Sequence, residues 1–184
     1  MSKRALIVID VQKGFTEMDQ IGERNNPECE ENISKLLKTW QQLDLPIIYV
    51  RHDSKSPTSK LRPGQSGNDF KDILTPTPDL LVTKSVNSAF IGSPDLNSWL
   101  KGEGITEVAI CGIQTNMCCE TTARMAGNLG YNTWFLLDAT HTFAKTVAGT
   151  KYSAETLAEI TAVNLSGEFA EVISTEEAIT RINQ

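Results

Sequence analysis

Six short apolar runs, separated by stretches of helical periodicity, constrain this chain more than any other feature. Leu6-Ile7-Val8-Ile9 is continuous rather than alternating, as a strand buried on both faces of a parallel sheet must be. Comparable runs recur at Pro46–Val50, Leu80–Val82, Val108–Cys111 and Thr133–Leu137, with a last one at Ala170–Ile173. Between them, Ile33, Leu36, Leu37, Trp40 and Leu43 share one helical face. Ser93-Pro94 reads as the cap and first-turn proline of a helix through Leu96, Trp99 and Leu100. Residues 118–129 read as a further helix ending at Gly130, Tyr152, Leu157, Ile160 and Val163 mark another, and Thr175-Glu176-Glu177 starts a short terminal one. Strands alternating with helices imply right-handed βαβ units. The expectation is a three-layer, doubly wound α/β fold with a mostly parallel sheet of about six strands.

At 184 residues the chain has the size of one domain, with no repeat or linker to divide it, so residues 1–184 are read as a single unit. A net charge of −6 leaves no basic face for nucleic acid or for anionic membranes. No apolar run approaches a membrane span, and the start Met1-Ser2-Lys3-Arg4 lacks the apolar core of a signal peptide. Cysteines at 29, 111, 118 and 119 have no C-x-x-C spacing, so they read as reduced thiols and the protein as cytoplasmic.

In an open parallel sheet, ligands bind beyond the carboxyl ends of the strands. Five of those ends carry polar residues. The first run closes in Asp10, the second in Arg51-His52-Asp53, the third is followed by Lys84, the fourth leads through Thr115-Asn116-Met117 to Cys118, and the fifth ends in Asp138. A thiol at a helix start is biased toward the thiolate by unpaired N–H groups. Each residue also has a plain role available: a cap or salt bridge for Asp10, a solvated loop position for Lys84, a small buried hydrophobe for Cys118. Only His52 and His141 are present, in no H-x-x-x-H or H-E-x-x-H arrangement, so no metal is expected. Gly-rich phosphate loops are missing too, which removes the usual support for a nucleotide cofactor. Two stretches break the alternation. Residues 51–79, rich in Ser, Pro and Gly, read as a loop or lid; 138–150, holding His141, Phe143 and Gly149, read as a second, shorter loop.

Three motifs then stand out: Val8-Ile9-Asp10-Val11-Gln12-Lys13-Gly14-Phe15, Thr83-Lys84-Ser85-Val86-Asn87-Ser88-Ala89-Phe90, and Gly112-Ile113-Gln114-Thr115-Asn116-Met117-Cys118, the last continuing to Gly130-Tyr131. On these, the chain resembles the isochorismatase-like cysteine hydrolases, a family that includes nicotinamidases, N-carbamoylsarcosine amidases and isochorismatases. The likeness covers nearly the whole chain. It implies a catalytic triad of Asp10, Lys84 and Cys118. It also implies a non-proline cis peptide at Ile113-Gln114 and an oxyanion hole formed by the N–H groups of Gln114 and Cys118.

Substrate contacts are expected from Gln12, Phe15, Phe90, Ile113, Thr140 and Phe143, with core packing as the alternative role for the two aromatics Phe15 and Phe90. Cys119 departs from the apolar residue common beside the nucleophile and reads as core filler. The D-x-H of the metal-binding nicotinamidases is not kept at Arg51-His52-Asp53, which leaves His52 as a loop residue or a pocket hydrogen-bonder. Residues 62–70 resemble the metal-free branch.

The resemblance implies a metal-free hydrolase cutting a C–N bond in a small amide, lactam or ureido substrate through a thioester. Two alternatives stay open: an isochorismatase cleaving a vinyl ether, and a silent small-molecule binder. Homo-oligomers are expected, with Trp40, Trp99 or Trp134 as a candidate interface anchor.

Overall fold

The computed structural model describes residues 3–184, without the side chains of residues 19–21; Met1 and Ser2 of the amino-terminal reading lie outside it. Its centre is a six-stranded sheet in the order β3-β2-β1-β4-β5-β8, every pairing parallel. The strands are β1 (Arg4–Ile9), β2 (Ile47–His52), β3 (Leu80–Lys84), β4 (Glu107–Ile113), β5 (Asn132–His141) and β8 (Glu171–Ile173). Every residue of β1 is buried, which is why its sequence does not alternate.

The period of two reappears in the packing. Leu6 and Val8 join one core, with Ile33, Leu36, Leu37 and Trp40 of α2 (Cys29–Gln42) and Ala178 of α6 (Thr175–Ile182). Ala5, Ile7 and Ile9 join the other. There they meet Leu96 and Leu100 of α3 (Leu96–Gly102), Ala123 and Ala126 of α4 (Glu120–Asn128) and Leu165 of α5 (Ala154–Leu165). Helices thus cover both faces, and the chain reverses direction across the sheet between β1 and β4. Among the described residues no helix is long and apolar enough to cross a membrane. Trp40 is fully buried and Trp134 is 7% exposed, so neither is available as a surface anchor; Trp99 is half-buried.

Several elements depart from the sequence reading. A helix with no strong periodic signal, α1 (Gly14–Ile21), follows β1. The α3 cap is Asp95, whose carboxylate accepts from Ser98 N, and Ser93-Pro94 is instead a cis peptide before the helix. A cap needs an acceptor that reaches the second or third helical N–H, and Asp95 stands next to the helix where Ser93 does not. Residues 138–150 are largely ordered strand: β5 runs on to His141, and a hairpin of β6 (Lys145–Val147) and β7 (Thr150–Tyr152) follows.

On α5 the apolar stripe faces outward, with Ile160 at 47% and Val163 at 76% exposure, while Tyr152 belongs to β7. The buried face is Ala154, Ala158, Thr161 and Leu165. Small residues let α5 lie close, and Thr161 Oγ1 donates to Glu120 Oε2 at the start of α4 (2.6 Å).

Two glycines are required by close approach. A Cβ on Gly112, at φ +127°, would stand 2.0 Å from Ile9 O, so β1 and β4 could not pair as they do at the reversal point. A Cβ on Gly67 would stand 2.3 Å from Lys60 O. That contact folds the 51–79 segment back on itself. The same segment is strapped to the sheet through Lys13 N to Asp69 O and Lys71 N to Val11 O, and Phe70 packs edge-on against Tyr49.

Candidate active site

The carboxyl ends of β1, β2 and β3 and the turn after β4 converge on one point. Asp10 leaves β1 in the left-handed region (φ 52°), which only Asn, Asp and Gly adopt readily. Its N–H is held by Val50 O, and its carboxyl, 1% exposed, turns under the sheet end. Lys84, the last residue of β3, pairs in register with His52 of β2. Its side chain is completely buried, and Nζ donates to Asp10 Oδ2 at 2.6 Å. The second oxygen, Oδ1, is buried with no close partner, and besides Lys84 the carboxyl interacts with the Cys118 thiol.

Cys118 is presented by a single wide turn, Thr115–Cys119, of π-helical type, which runs into α4. Met117 N and Cys119 N both donate to Gln114 O. The Ile113–Gln114 peptide before it is cis. The turn is buttressed from β5 and the residue after it. Thr115 Oγ1 donates to Thr140 Oγ1 (2.8 Å), and Thr142 Oγ1 donates to Asn116 Oδ1 (2.6 Å).

Burial sets the electrostatics. It pushes the Asp10 carboxyl above the usual carboxylate range, against the pull of Lys84. Burial alone would lower Lys84, but the Asp10 carboxylate and the Cys118 sulfur together hold the ammonium above an ordinary lysine. The Cys118 thiol is pushed up to about 12, by burial first and by the Asp10 charge second. This corrects the thiolate expected from a helix start. Desolvation and a neighbouring carboxylate outweigh the pull of the helix start. Cys118 rests as a thiol beside a base.

The thiol opens into a cavity of about 350 Å³. Phe15, Met18, Leu61 and Met117 supply apolar wall, His52, Asn87 and Gln114 polar wall, and Ser59 and Lys60 the rim. A groove of about 480 Å³ lies between α5, α6 and β8. There the Ser174 hydroxyl caps α6 and Asp138 accepts from Thr175 N and Oγ1, so neither is poised for chemistry.

Of the substrate contacts expected from sequence, Phe15 lines the cavity and the others do not. Phe90 is 8% exposed and stacks on Tyr131 in the core (5.9 Å). Ile113 is fully buried in the opposite core. Phe143 stands behind Phe15 with ring centroids 6.4 Å apart. Thr140 spends its hydroxyl on Thr115 and Leu137 O. Gln12 is fully buried; Nε2 donates to His52 O and Asn68 O, and Oε1 accepts from His52 N. These residues brace the wall instead of touching its inner surface. Conversely, no local pattern marks Met18 or the 59–61 stretch as cavity wall, and Asn87 and Met117 lie inside the Lys84 and Cys118 motifs with no signal of their own for that role. Thr142 carried a signal, as a hydroxyl just past the end of β5.

Asp10, His52 and Cys118 each bring one metal-ligand atom within 4.8 Å of the others. The cation at their centre is the Lys84 ammonium, bonded to both Asp10 Oδ2 and His52 Nδ1.

An isochorismatase-domain family model matches residues 4–177. The chain belongs to the isochorismatase family. Among its relatives, the uncharacterized isochorismatase family protein YrdC of Bacillus subtilis (strain 168) is 42% identical over 179 residues, 96% of this chain and 95% of its own length. Nicotinamidase 3 of Arabidopsis thaliana is 31% identical, covering 94% of this chain and 85% of the relative. The crystal structure of a putative hydrolase of the isochorismatase family from Chromobacterium violaceum superposes with a TM-score of 0.92 at 36% identity, over 98% and 94% of the two chains. The chain is thus a member of a hydrolase family, built on that family's α/β fold.

Proposed function

We propose that this isochorismatase-family protein is a metal-independent cysteine hydrolase that cleaves a C–N bond in a small amide, lactam or ureido compound. The observation that carries this reading is a thiol at the floor of a small cavity, beside a dry Asp10–Lys84 pair whose free carboxylate oxygen is turned from Lys84. The name of its relative Nicotinamidase 3, an enzyme of a small amide, points the same way.

The steps follow from the groups present. As substrate displaces water, Asp10 Oδ1 takes the Cys118 proton, and the sulfur adds to the carbonyl carbon. Lys84 keeps its charge throughout and stabilises the anionic pair. The carbonyl oxygen becomes an oxyanion held by Gln114 N–H and Cys118 N–H. Collapse breaks the C–N bond, and Asp10 returns its proton to the departing nitrogen. Water, deprotonated by Asp10, then adds to the thioester and releases the acid and the thiol.

The test is a screen of small amides, lactams and ureido compounds for amine or ammonia release, with Cys118→Ala protein as the blank and isochorismate assayed in parallel for pyruvate. The expected outcome is turnover of at least one C–N substrate that persists in EDTA and vanishes in Cys118→Ala. Turnover retained by Cys118→Ala, or pyruvate release with the C–N compounds inert, overturns the reading.

A further inference from the structure

The one histidine at the floor of the cavity has a part that the triad leaves unassigned. His52 closes β2 and lines the cavity, with its backbone clamped from both sides. Gln12 Oε1 accepts from its N–H, and Gln12 Nε2 and Asn68 Nδ2 both donate to its carbonyl. With the backbone so fixed, the ring is set against Lys84, and Nδ1 lies 3.1 Å from Lys84 Nζ.

An ammonium has three donors and no acceptor. Lys84 directs one at Asp10 Oδ2 and sets another against His52 Nδ1, with the Cys118 sulfur adding to the pull on its charge. Nδ1 can therefore be only the acceptor of that bond, which leaves the proton of a neutral imidazole on Nε2. Nε2 makes no hydrogen bond to a described protein group, and the ring borders the cavity.

We propose that His52 is a fourth functional member of the site: a neutral imidazole locked as the Nε2–H tautomer, positioning the Lys84 ammonium through Nδ1 and offering Nε2–H to the substrate. It selects compounds that carry a second acceptor oxygen beside the scissile carbonyl, and rejects those that present an N–H there. A site built to donate to such an oxygen leaves its own polar group unpaired when the oxygen is missing, which is the stronger kind of discrimination. Burial and the Lys84 charge both hold the imidazole below its ordinary range, against Asp10 and Asp53, so it stays uncharged at neutral pH.

The proposal rests on the Asp10/Lys84/Cys118 reading through the charge of Lys84, but its first test needs no turnover. In full-chain protein labelled with ¹⁵N-histidine only two rings contribute, and His52→Asn identifies the His52 signals by their loss. At pH 7.5 the His52 ring is expected to show a protonated Nε2 and a bare, acceptor-type Nδ1. A ring protonated on Nδ1, or on both nitrogens, overturns the proposal.

The second arm places an acceptor in the cavity covalently. Iodoacetamide forms an S–C bond at Cys118 with loss of iodide and the thiol proton, leaving a carbonyl tethered on the sulfur; iodoethane leaves an ethyl group of similar reach and no acceptor. The Nε2–H resonance should shift downfield and exchange at least several-fold more slowly in the first adduct only. Identical His52 spectra for the two adducts overturn the donor role. Because Cys118 rests as a thiol, both adducts are made at raised pH with excess reagent. The nucleophile is tested separately by the amide screen against Cys118→Ala, and the tautomer is read without turnover, so the two failures are distinguishable.

Discussion

Two lysines belong to the site, one beneath the cavity and one on its rim, and have little else in common. Lys84, at the floor, has a fully buried side chain bonded to Asp10 at 2.6 Å. Lys60, at the rim, is 58% exposed and pairs with an equally exposed Glu17 at 2.7 Å. The distances are nearly equal, and the energetics are not. Water screens the rim pair, so such contacts are worth about 0–1 kcal/mol. At the floor both charges have left water, and each depends on the other for compensation. Floor and rim therefore divide the labour. In the proposed mechanism chemistry sits where strand ends fix every atom, and substrate contact where a loop can change without unfolding the sheet.

The comparison breaks first at Lys84. Lys84→Met leaves the Asp10 carboxyl buried without its cation, so turnover should fall to the Cys118→Ala blank and stability should drop by about 3–5 kcal/mol. Urea unfolding followed by circular dichroism measures the loss. An unchanged midpoint would mean that water reaches the floor and that the pair is not dry.

Asp10→Asn separates two roles of one carboxylate. As the base it is required for turnover, which should disappear. As a negative charge it pushes the Cys118 thiol upward, so its removal beside a retained Lys84 should lower the thiol's titration by about one to three units. Cys118 in the variant should then react with iodoacetamide at pH 7 at least about tenfold faster than in the parent protein. Slower alkylation would show that Asp10 holds a thiolate in the resting enzyme, and would sink the resting-thiol description.

Fold and site were legible to different depths. The four inner strands were readable because burial on both faces makes each of them a continuous apolar run, Leu6–Ile9 most plainly, while the half-exposed edge strands β3 and β8 showed only as shorter runs. Strand ends then pointed to Asp10, Lys84 and Cys118, since a parallel sheet gathers its carboxyl ends on one edge. The wall of the cavity was not legible. Leu61 reaches it from a segment whose path depends on Gly67 approaching Lys60 O and on Asn68 Nδ2 binding Leu61 O, and neither contact has a local pattern. Gln12 looked like a substrate ligand because it follows Asp10 closely; its side chain is taken up instead by the backbone of His52, 40 residues away in sequence. On α5 the hydrophobic stripe misled because Ala158 and Thr161, not Ile160 and Val163, fit the narrow gap over α4.

Glu30 falls between floor and rim. Its side chain is 21% exposed, and it accepts from Arg24 (2.9 Å) and Lys71 (2.7 Å). Burial would raise its carboxyl, but those two cations outweigh it and hold it down at about 2. A carboxylate lowered in the folded state stabilises the fold above the unfolded value near 4.5, and that stability is lost as pH falls toward 2. Allowing for partial exposure, the contribution is about 2–3 kcal/mol. The parent protein should therefore lose more stability than Glu30→Gln between pH 5 and pH 2, while at pH 7 the variant should be weaker by about that amount. Parallel stability curves for the two proteins would show that the carboxylate is screened like a rim charge.

The smallest effect belongs to the rim. Lys60→Met keeps the apolar stem that borders the cavity beside Leu61 and removes only the ammonium. Its partner Glu17 is already solvated, so no charge is stranded, and the unfolding midpoint should move by less than about 1 kcal/mol. The Asp10–Lys84 pair is untouched, so kcat on a substrate from the C–N screen should stay within about threefold of the parent. If the rim senses the part of the substrate farthest from the scissile bond, KM alone should change, rising for a substrate with a distal carboxylate and changing little for a neutral one of the same size. A fall in kcat equal to the fall in kcat/KM would instead mean that Lys60 acts on the transition state, and the division between floor and rim would fail.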